Sequence, residues 1–271
     1  MLRRAGVVGD PAGHSLSPAI HRAGYAAHGL DWVYDAHTVP AEGLDDFVRG
    51  CAADPAWAGL SVTAPHKDAI LAHGDPDEPT RLLGAGNTLI FGPTPRVYNT
   101  DVPGFVRAWR AHGLADVRSA AVVGNGATAR SILLALAGLG LRDLVVLARV
   151  PQRAEALLEL AAVLGVVAEA RGLEEPLPAV DLVANTVPAA ATAPHASRLA
   201  AAAGVVFDVV YDPWPTPLAR AADAAGTPAL NGLDLLAGQA VDQFFLMTGH
   251  QVTFEGCRSA AEQELSRRSR L

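Results

Sequence analysis

One glycine-containing turn constrains the fold of this chain more than any other stretch. The apolar run Ala120–Val123 leads directly into Gly124-Asn125-Gly126-Ala127-Thr128-Ala129, and a helix-forming segment follows. Strand, turn and helix in this order are the setting in which G-x-G-x-x-G/A predicts a dinucleotide-binding βα unit. Gly124 permits the tight turn, Gly126 lets a pyrophosphate approach the backbone, and Ala129 allows close packing of helix on strand. The alternative is a glycine-rich turn that binds no ligand.

The strand after this βα unit ends in arginines rather than in a carboxylate. The apolar run Leu144–Leu147 leads into Ala148-Arg149-Val150-Pro151-Gln152-Arg153. An NAD site usually carries Asp or Glu here, which binds the ribose 2′-hydroxyl. Arg149 and Arg153 instead suit a 2′-phosphate, because guanidinium groups match phosphate geometry. We therefore predict NADP as the cofactor, against the alternative that both arginines are solvated surface residues.

Predicted strands and helices alternate along most of the chain. Up to about residue 101 the alternation predicts a mainly parallel sheet, and a second alternating pattern starts near Val102. Ser17 is the predicted N-cap of the first helix, with Pro18 at its first position and Gly29 at its end. Another helix is predicted from His66 to His73. The pattern indicates an α/β protein, and 271 residues suffice for one large domain or two ordinary ones.

Composition argues against several classes of partner. The net charge is −7 and the basic cluster is Arg267-Arg268-Ser269-Arg270, so we expect no nucleic-acid partner and expect this tail to solvate a helix end. Apolar runs fall short of the ~18 residues of a membrane helix, and the N-terminal run is too short for a signal peptide. Cys51 and Cys257 lie far apart, which favours reduced thiols in the cytoplasm. Histidine spacing predicts no metal site.

Small polar residues gather at predicted strand and loop ends of the N-terminal half. Each alone is explained as a helix cap or a turn residue. In open α/β sheets, however, ligands bind beyond the carboxyl ends of the strands. Together these residues predict a site for a small molecule rich in hydroxyl groups. The residues are His14-Ser15-Leu16-Ser17, Ser61, Thr63, Asn87-Thr88 and Asn99-Thr100-Asp101.

Lys67 is the only lysine of the chain, and every other basic residue apart from histidine is an arginine. An amine can give up a proton, whereas a guanidinium holds its proton. Lys67 is therefore a candidate for acid–base catalysis, which accelerates reactions by about 10²–10⁴. Asp101 is the predicted partner that holds the ammonium. The alternative is an exposed lysine at the start of a helix.

Through these residues the sequence resembles the shikimate dehydrogenase family over nearly its full length. The motifs that carry the resemblance, in chain order, are GDPAGHSLSPAIH, GLSVTAPHK, GAGNT, NTDVPG, GNGATAR, DVVYDPWPTPLARAADAAG and GLDLLAGQAVDQF. The resemblance implies that Lys67 and Asp101 are catalytic. It implies substrate contacts from Ser15, Ser17, Ser61, Thr63, Asn87, Tyr211 and Gln239. It implies cofactor contacts from Gly124, Asn125, Gly126, Ala127, Thr128, Arg149, Arg153, Val209 and Gly232.

The resemblance also implies two α/β domains. Residues 1–101, completed by 235–271, would bind the substrate, and residues 102–234 would form a Rossmann-type domain that binds NADP. The implied reaction is the reversible, NADPH-dependent reduction of 3-dehydroshikimate to shikimate, a step of chorismate and aromatic amino acid biosynthesis. The sequence leaves the oligomeric state open between a monomer and a homodimer.

Several positions depart from the family pattern. Ser61 stands where the family usually has Asn, Ala148 and Val150 replace the Asn and Thr around Arg149, and Asp234 replaces a glycine. The SVT and YDPWPTPLA variants are most similar to the actinobacterial branch. Three alternatives stay open: a quinate/shikimate dehydrogenase that uses NAD, an aminoshikimate-pathway paralogue, and a non-catalytic nucleotide-binding protein of the same fold.

Overall fold

A computed structural model describes residues 2–270 of the chain. The chain divides into two compact units. The first unit runs to Arg107 and resumes at Leu236, and the second unit is Ala108–Leu235. Both boundaries fall inside helices, so the chain passes between the units without an extended linker.

The N-terminal part of the first unit alternates strands with helices. Its strands are β1 (Arg3–Gly9), β2 (Trp32–Thr38), β3 (Trp57–Val62), β4 (Asp75–Pro76), β5 (Thr88–Ile90) and β6 (Arg96–Tyr98). Its helices are α1 (Ser17–His28), α2 (Leu44–Ala53), α3 (Glu78–Leu83) and α4 (Asp101–Ala111).

The sheet of the first unit contains both parallel and antiparallel pairings. Its strand order is β2-β1-β3-β5-β6-β4. Strand β1 pairs in parallel with β2 and β3, and β4 pairs in parallel with β6. The pairs β3–β5 and β5–β6 are antiparallel. Three of the five pairings are parallel, as predicted. The prediction is wrong only for strand β5, whose short connection to β6 can join only antiparallel strands.

The predicted N-cap of α1 is also wrong by one position. Leu16 is the N-cap, and Ser17 is the first helical residue. The hydroxyl that caps the start of the helix comes from Ser15, whose Oγ accepts a hydrogen bond from the Ser17 backbone N–H at 3.2 Å. The predicted end is confirmed, since Gly29 adopts the left-handed conformation with φ 63°.

The helix predicted from His66 to His73 forms only a short 3₁₀ segment, Ala69–His73. In an α-helix the Lys67 carbonyl would accept the N–H of the residue four positions later. It accepts the Gly86 N–H instead, at 2.8 Å. This long-range hydrogen bond keeps the backbone around Lys67 in an irregular turn.

The second unit contains a parallel sheet with helices between its strands. Its strands are β7 (Ser119–Val123), β8 (Asp143–Ala148), β9 (Val167–Gly172), β10 (Val180–Asn185), β11 (Ala203–Asp208) and β12 (Ala229–Asn231). The helices from this point on are α5 (Ala127–Gly138), α6 (Glu155–Val163), α7 (Ala189–Thr192), α8 (Ala196–Ala202), α9 (Pro217–Ala224), α10 (Gly232–Thr248) and α11 (Phe254–Arg268).

The order of this sheet, β12-β11-β10-β7-β8-β9, is the doubly wound order of dinucleotide-binding folds. All of its pairings are parallel. The order in which strands are added to the sheet reverses between the neighbouring strands β7 and β10. The glycine turn lies at the carboxyl end of β7. Ligands bind at this kind of switch point. The predicted α/β class and Rossmann-type sheet are confirmed, whereas strand β9 and helices α7 and α8 were not predicted.

Each face of the first sheet has its own apolar core. Val8 packs with α2 residues such as Leu44 and Val48. Val7 packs on the other face, with Tyr25 of α1 and Phe244 of α10. Neighbouring strand residues point to opposite faces, so this split places α2 on one side of the sheet and α1 and α10 on the other. The second unit has a comparable core built around β7, β8, β10 and β11.

No helix within residues 2–270 has the length and apolar character that crossing a membrane requires.

Candidate active site and nucleotide site

Lys67 and Asp101 form a largely buried ion pair in the first unit. Lys67 Nζ lies 2.6 Å from Asp101 Oδ2, and the side chains are 14% and 2% exposed. Lys67 comes from the turn after β3, and Asp101 is the first residue of α4. The Asp101 backbone N–H donates to Asn99 Oδ1 at 3.1 Å, which fixes the start of the helix. The buried Asp101 carboxylate requires a partner such as the Lys67 ammonium, because burying an unpaired charge is costly in free energy.

Asn87 orients both the aspartate and a glutamine of α10. Its Oδ1 accepts the Thr100 backbone N–H at 2.7 Å, and a backbone N–H can only donate. The amide nitrogen therefore points the other way, and donates to Asp101 Oδ1 at 3.0 Å and to Gln239 Oε1 at 2.8 Å. Asp101 thus has one oxygen on Asn87 and the other on Lys67.

Gln239 presents a defined polarity. Its Oε1 accepts from Asn87 and, at 3.5 Å, from Gln243 Nε2, which leaves the amide N–H₂ of Gln239 as its donor toward a ligand. Two glycines bring this residue close to the start of α4. A Cβ at Gly104 would lie 2.6 Å from the Gln239 backbone nitrogen, and one at Gly238 would overlap the Gly104 carbonyl.

The Ser61 hydroxyl is committed to protein groups. It accepts from Tyr34 Oη at 2.6 Å and donates to Gln243 Oε1 at 2.9 Å. Burial raises the pKa of the Tyr34 phenol, and hydrogen bonds to the Ser61 and Ser17 hydroxyls work against this shift. The His21 ring stacks on Tyr34 with a centroid distance of 4.1 Å. Burial lowers the pKa of His21 to about 3, so its ring is neutral at ordinary pH.

Gln243 and Tyr34 belong to this network, and neither was predicted from the sequence. Gln243 Nε2 also donates to Thr88 Oγ1 at 3.1 Å and to the Asn87 carbonyl at 3.3 Å. A signal for Gln243 was present, because it follows Gln239 by four residues and therefore lies on the same helix face. Tyr34 carried no such signal, since it reads as one apolar residue of a strand.

Ser15, Ser17 and Thr63 lie at the carboxyl ends of β1 and β3. Ser15 and Ser17 meet at the start of α1, through the Ser15 Oγ hydrogen bond. Thr63 follows β3, and its backbone N–H donates to the Val8 carbonyl at 2.9 Å. A Cβ at Gly9 would overlap the Thr63 methyl group, so glycine there lets the two strand ends approach. The predicted hydroxyl groups thus belong to residues that follow two neighbouring parallel strands at the same end of the sheet.

The glycine turn of the second unit has the geometry that a dinucleotide phosphate needs. Gly124 has φ 106°, and a Cβ there would lie 2.8 Å from Val187 Cγ1. Among residues 2–270, and apart from the two chain neighbours of Gly126, no atom lies within 4 Å of a Cβ placed on this glycine, so the space above it is open. Gly126 is the N-cap of α5 and provides no side-chain cap. The first N–H groups of α5, beginning at Ala127 and Thr128, therefore remain available to an anion.

Arg149 and Arg153 lie just beyond β8, and both are exposed. Asn125 Nδ2 donates to the Arg153 carbonyl, which ties the glycine turn to the arginine segment. Among the described residues, neither guanidinium has a hydrogen bond or an ion pair. The open space at Gly126, the uncapped helix and the two free guanidinium groups fit NADP, including its 2′-phosphate.

A third part of the second unit brings Val209, Tyr211 and Gly232 together. A Cβ at Gly232 would overlap the Val209 carbonyl oxygen and lie 3.0 Å from Tyr211 Cδ1, so only glycine fits there. The segment is held by Asp208, whose Oδ2 accepts from Thr216 Oγ1 at 2.7 Å. Burial raises the pKa of this carboxyl. Tyr211, predicted to contact substrate, thus lies in the same unit as the predicted cofactor residues.

Within residues 2–270, no three His, Cys, Asp or Glu side chains converge as a metal site would require.

Known proteins resemble this chain in sequence and in fold. A family model described as the shikimate dehydrogenase substrate binding domain matches residues 7–89. The shikimate dehydrogenase (NADP(+)) of Methylobacterium radiotolerans is 40% identical over 259 residues, which are 89% of each chain.

Solved structures of shikimate dehydrogenases also match this chain in fold. The structure of Mycobacterium tuberculosis shikimate dehydrogenase matches with a TM-score of 0.89 and 36% identity, and covers 96% of this chain and 99% of its own. Shikimate 5-dehydrogenase of Thermus thermophilus, in complex with NADP(H) and shikimate, matches with a TM-score of 0.82 and 32% identity over 96% of this chain and 99% of its own. With these matches over nearly its whole length, the chain belongs to the shikimate dehydrogenase family.

Proposed function

We propose that this protein is a shikimate dehydrogenase, an oxidoreductase that reversibly reduces 3-dehydroshikimate to shikimate with NADPH. The observation that carries the proposal is the buried Lys67–Asp101 pair, set among amide and hydroxyl groups at one sheet edge. The chain belongs to a family whose curated members are named shikimate dehydrogenase (NADP(+)). We assign substrate binding to the first unit and dinucleotide binding to the second.

In this reaction Lys67 transfers the proton to and from the substrate oxygen, which belongs to a ketone before the reduction and to an alcohol after it. Bound NADPH supplies the hydride for the ring ketone carbon. The Lys67 ammonium donates a proton to the oxygen, and the neutral amine takes one back in the reverse direction. Asp101 holds the ammonium at 2.6 Å, and Asn87 holds the second oxygen of Asp101. This fixed geometry keeps the proton donor in one position.

The remaining hydrogen-bonding capacity of each residue indicates how the substrate is held. Gln239 has a free amide N–H₂, which suits an acceptor such as the carboxylate of shikimate. The Thr63, Ser15 and Ser17 hydroxyls can each donate and accept. Substrate contacts from Asn87, Ser61 and Tyr211 stay predictions. Both amide N–H groups of Asn87 already donate to protein acceptors.

The cofactor is held by the glycine turn and the arginines of the second unit. The pyrophosphate would lie on the free N–H groups at the start of α5, beside Gly124, Asn125 and Gly126. Arg149 and Arg153 would bind the 2′-phosphate that distinguishes NADP from NAD. We expect the enzyme to act in the cytoplasm, where the unpaired thiols of Cys51 and Cys257 stay reduced.

A steady-state assay of the purified protein tests the proposal. Shikimate and quinate are each oxidised with NADP and with NAD, and the formation of reduced cofactor is followed. We expect shikimate with NADP to give the highest kcat/KM. Faster oxidation of quinate with NAD would support the quinate dehydrogenase alternative. Ligand binding without turnover of either substrate would support a non-catalytic role.

A further inference from the structure

The C-terminal end of α11 contacts the loop that carries the predicted substrate serines. Arg268 Nη1 donates to the His14 carbonyl at 2.7 Å, and Nη2 donates to the Ser15 carbonyl at 3.0 Å. Its Nε donates to Glu264 Oε1 at 2.8 Å. Every nitrogen of this guanidinium is therefore engaged. The prediction that the basic tail solvates a helix end is wrong for Arg268, whose guanidinium is bound by protein groups.

The loop between β1 and α1 is also held by the buried side chains of Ala12 and Leu16, and by the Asp10 N–H, which donates to the Ala64 carbonyl at 3.0 Å. Ala12 N–H donates to Thr38 Oγ1 at 3.1 Å, and Ser15 N–H donates to the Ala12 carbonyl at 3.0 Å. The Ser15 hydroxyl in turn accepts the Ser17 N–H. The two bonds from Arg268 fix consecutive carbonyls, so they set the orientation of the peptide that carries the Ser15 side chain. Hydrogen bonds from a charged donor are about twice as strong as neutral ones.

Glu264 fixes the direction of the Arg268 side chain. Its carboxylate also accepts from Arg267, at 2.8 Å from Nε and 2.9 Å from Nη2. Hydrogen bonds from Arg267 and then from Arg268 lower the pKa of Glu264 to about 2, so the carboxylate stays charged at working pH. Arg267 shares this carboxylate, but its side chain is 63% exposed against 32% for Arg268. Neighbouring arginines on one helix thus differ in whether they hold the loop.

We propose that Arg268 is a positioning residue for substrate binding, which holds the His14–Ser15 backbone so that the Ser15 and Ser17 hydroxyls face the substrate. The proposal rests on the proposed function, because it takes shikimate as the ligand of these serines. Arg268 acts on the binding of substrate and not on the proton transfer at Lys67. Its removal should therefore change KM for shikimate more than kcat.

The test compares Arg268→Ala with Arg267→Ala in the full chain. For Arg268→Ala we expect KM for shikimate to rise about tenfold, the equivalent of about 1.4 kcal/mol, with kcat and KM for NADP within about twofold of the unaltered enzyme. Arg267→Ala should leave all of these constants within about twofold. Arg268→Lys should give an intermediate KM for shikimate. An ammonium group can bind Glu264 and one of the two loop carbonyls, but it cannot bind all three groups at once.

Amide hydrogen exchange gives a second measurement, which does not depend on turnover. The Ser15 and Ser17 amides should exchange faster in Arg268→Ala than in the unaltered protein. Their exchange rates should be unchanged in Arg267→Ala. An unaltered KM together with unaltered exchange in Arg268→Ala would overturn the proposal, as would equal effects of both substitutions. Should Arg268→Ala fail to fold, Arg268→Lys decides by the same criteria. If the unaltered protein does not oxidise shikimate, the proposed function fails, whereas the exchange result still decides whether Arg268 holds the loop.

Discussion

At the scale of single residues, the candidate site depends on hydrogen bonds whose direction is fixed. The Thr100 backbone N–H sets the orientation of Asn87, Asn87 sets that of Gln239, and both Asn87 and Lys67 hold Asp101. Each of these hydrogen bonds has only one possible direction from donor to acceptor. The Thr100 backbone N–H therefore determines how the side chains of Asn87 and Gln239 are oriented. Such a network is held before any ligand binds, which is the arrangement that catalysis by positioning needs.

Replacement of Lys67 separates its charge from its acidity. Lys67→Ala should lower kcat by about 10²–10⁴, because the proton donor is lost. Lys67→Arg keeps a cation beside Asp101 but cannot release a proton, so it should be as inactive as Lys67→Ala. Circular dichroism and NADPH binding should match those of the unaltered protein. Near-normal turnover of the arginine variant would show that Lys67 supplies only charge.

The Ser61 hydroxyl should contribute to stability through two partners at once. Ser61→Ala removes the hydrogen bonds that Ser61 makes with the Tyr34 hydroxyl and with Gln243 Oε1, so it should lower the free energy of unfolding by about 1–3 kcal/mol. Tyr34→Phe removes one donor and leaves the bond from Ser61 to Gln243, so it should cost about 1 kcal/mol. The double variant should cost less than the sum, since the phenol hydroxyl is then absent. Urea unfolding measures all three, and strictly additive costs would contradict this network.

At the scale of secondary structure, the turn between β7 and α5 contains two glycines with different roles. Gly126 has φ −83° and open space around its Cβ position, so Gly126→Ala should leave the melting temperature unchanged. The added methyl group would occupy the space of the pyrophosphate, and NADP affinity should fall about tenfold or more. Gly124→Ala, at φ 106°, should instead lower stability by about 1–3 kcal/mol. Calorimetry and NADP titration separate these results, and equal melting temperatures of the two variants would contradict them.

Elements that depend on short-range pattern were predictable, and elements that depend on distant partners were not. The glycine turn and the Gly29 end of helix α1 follow from local sequence, and both were predicted at the right place. Strand β9 was missed because its sequence, VAEARG, gains strand character only from pairing with β8 at the sheet edge. The helix predicted from His66 fails because of a hydrogen bond to Gly86. Propensity is a weak guide wherever tertiary contacts compete with it.

The candidate site shows the same limit. Lys67 and Asp101 were predicted and form the ion pair that the prediction required. Tyr34 and Arg268 were not predicted, because each acts on another residue that only folding brings near. Tyr34 lies 27 residues from Ser61 in sequence, and Arg268 lies 253 residues from Ser15. No local pattern marks such pairs, so only the folded structure identifies them.

At the scale of the whole molecule, the predicted substrate and cofactor sites draw on different parts of the chain, with Tyr211 as the one predicted substrate contact in the second unit. The Lys67 network belongs to the unit that starts at the N-terminal end and resumes at Leu236, and the glycine turn belongs to Ala108–Leu235. The molecule carries a net charge of −7, while both proposed ligands are anions. Local cations must therefore overcome an unfavourable overall charge, and Arg149 and Arg153 are two exposed cations beside the nucleotide turn.

This separation makes cofactor preference and substrate affinity independently adjustable. Arg149→Ala with Arg153→Ala should raise KM for NADP about tenfold or more, because each guanidinium contributes to binding of the 2′-phosphate. NAD lacks that phosphate, so KM for NAD should stay within about twofold, as should KM for shikimate. Arg142, at the opposite end of strand β8, is the matched control, and Arg142→Ala should change none of these constants. Parallel assays with NADP and NAD measure the effect. A similar rise of KM for both cofactors would mean that the arginines act through general charge, and an unchanged KM for NADP would place the 2′-phosphate elsewhere.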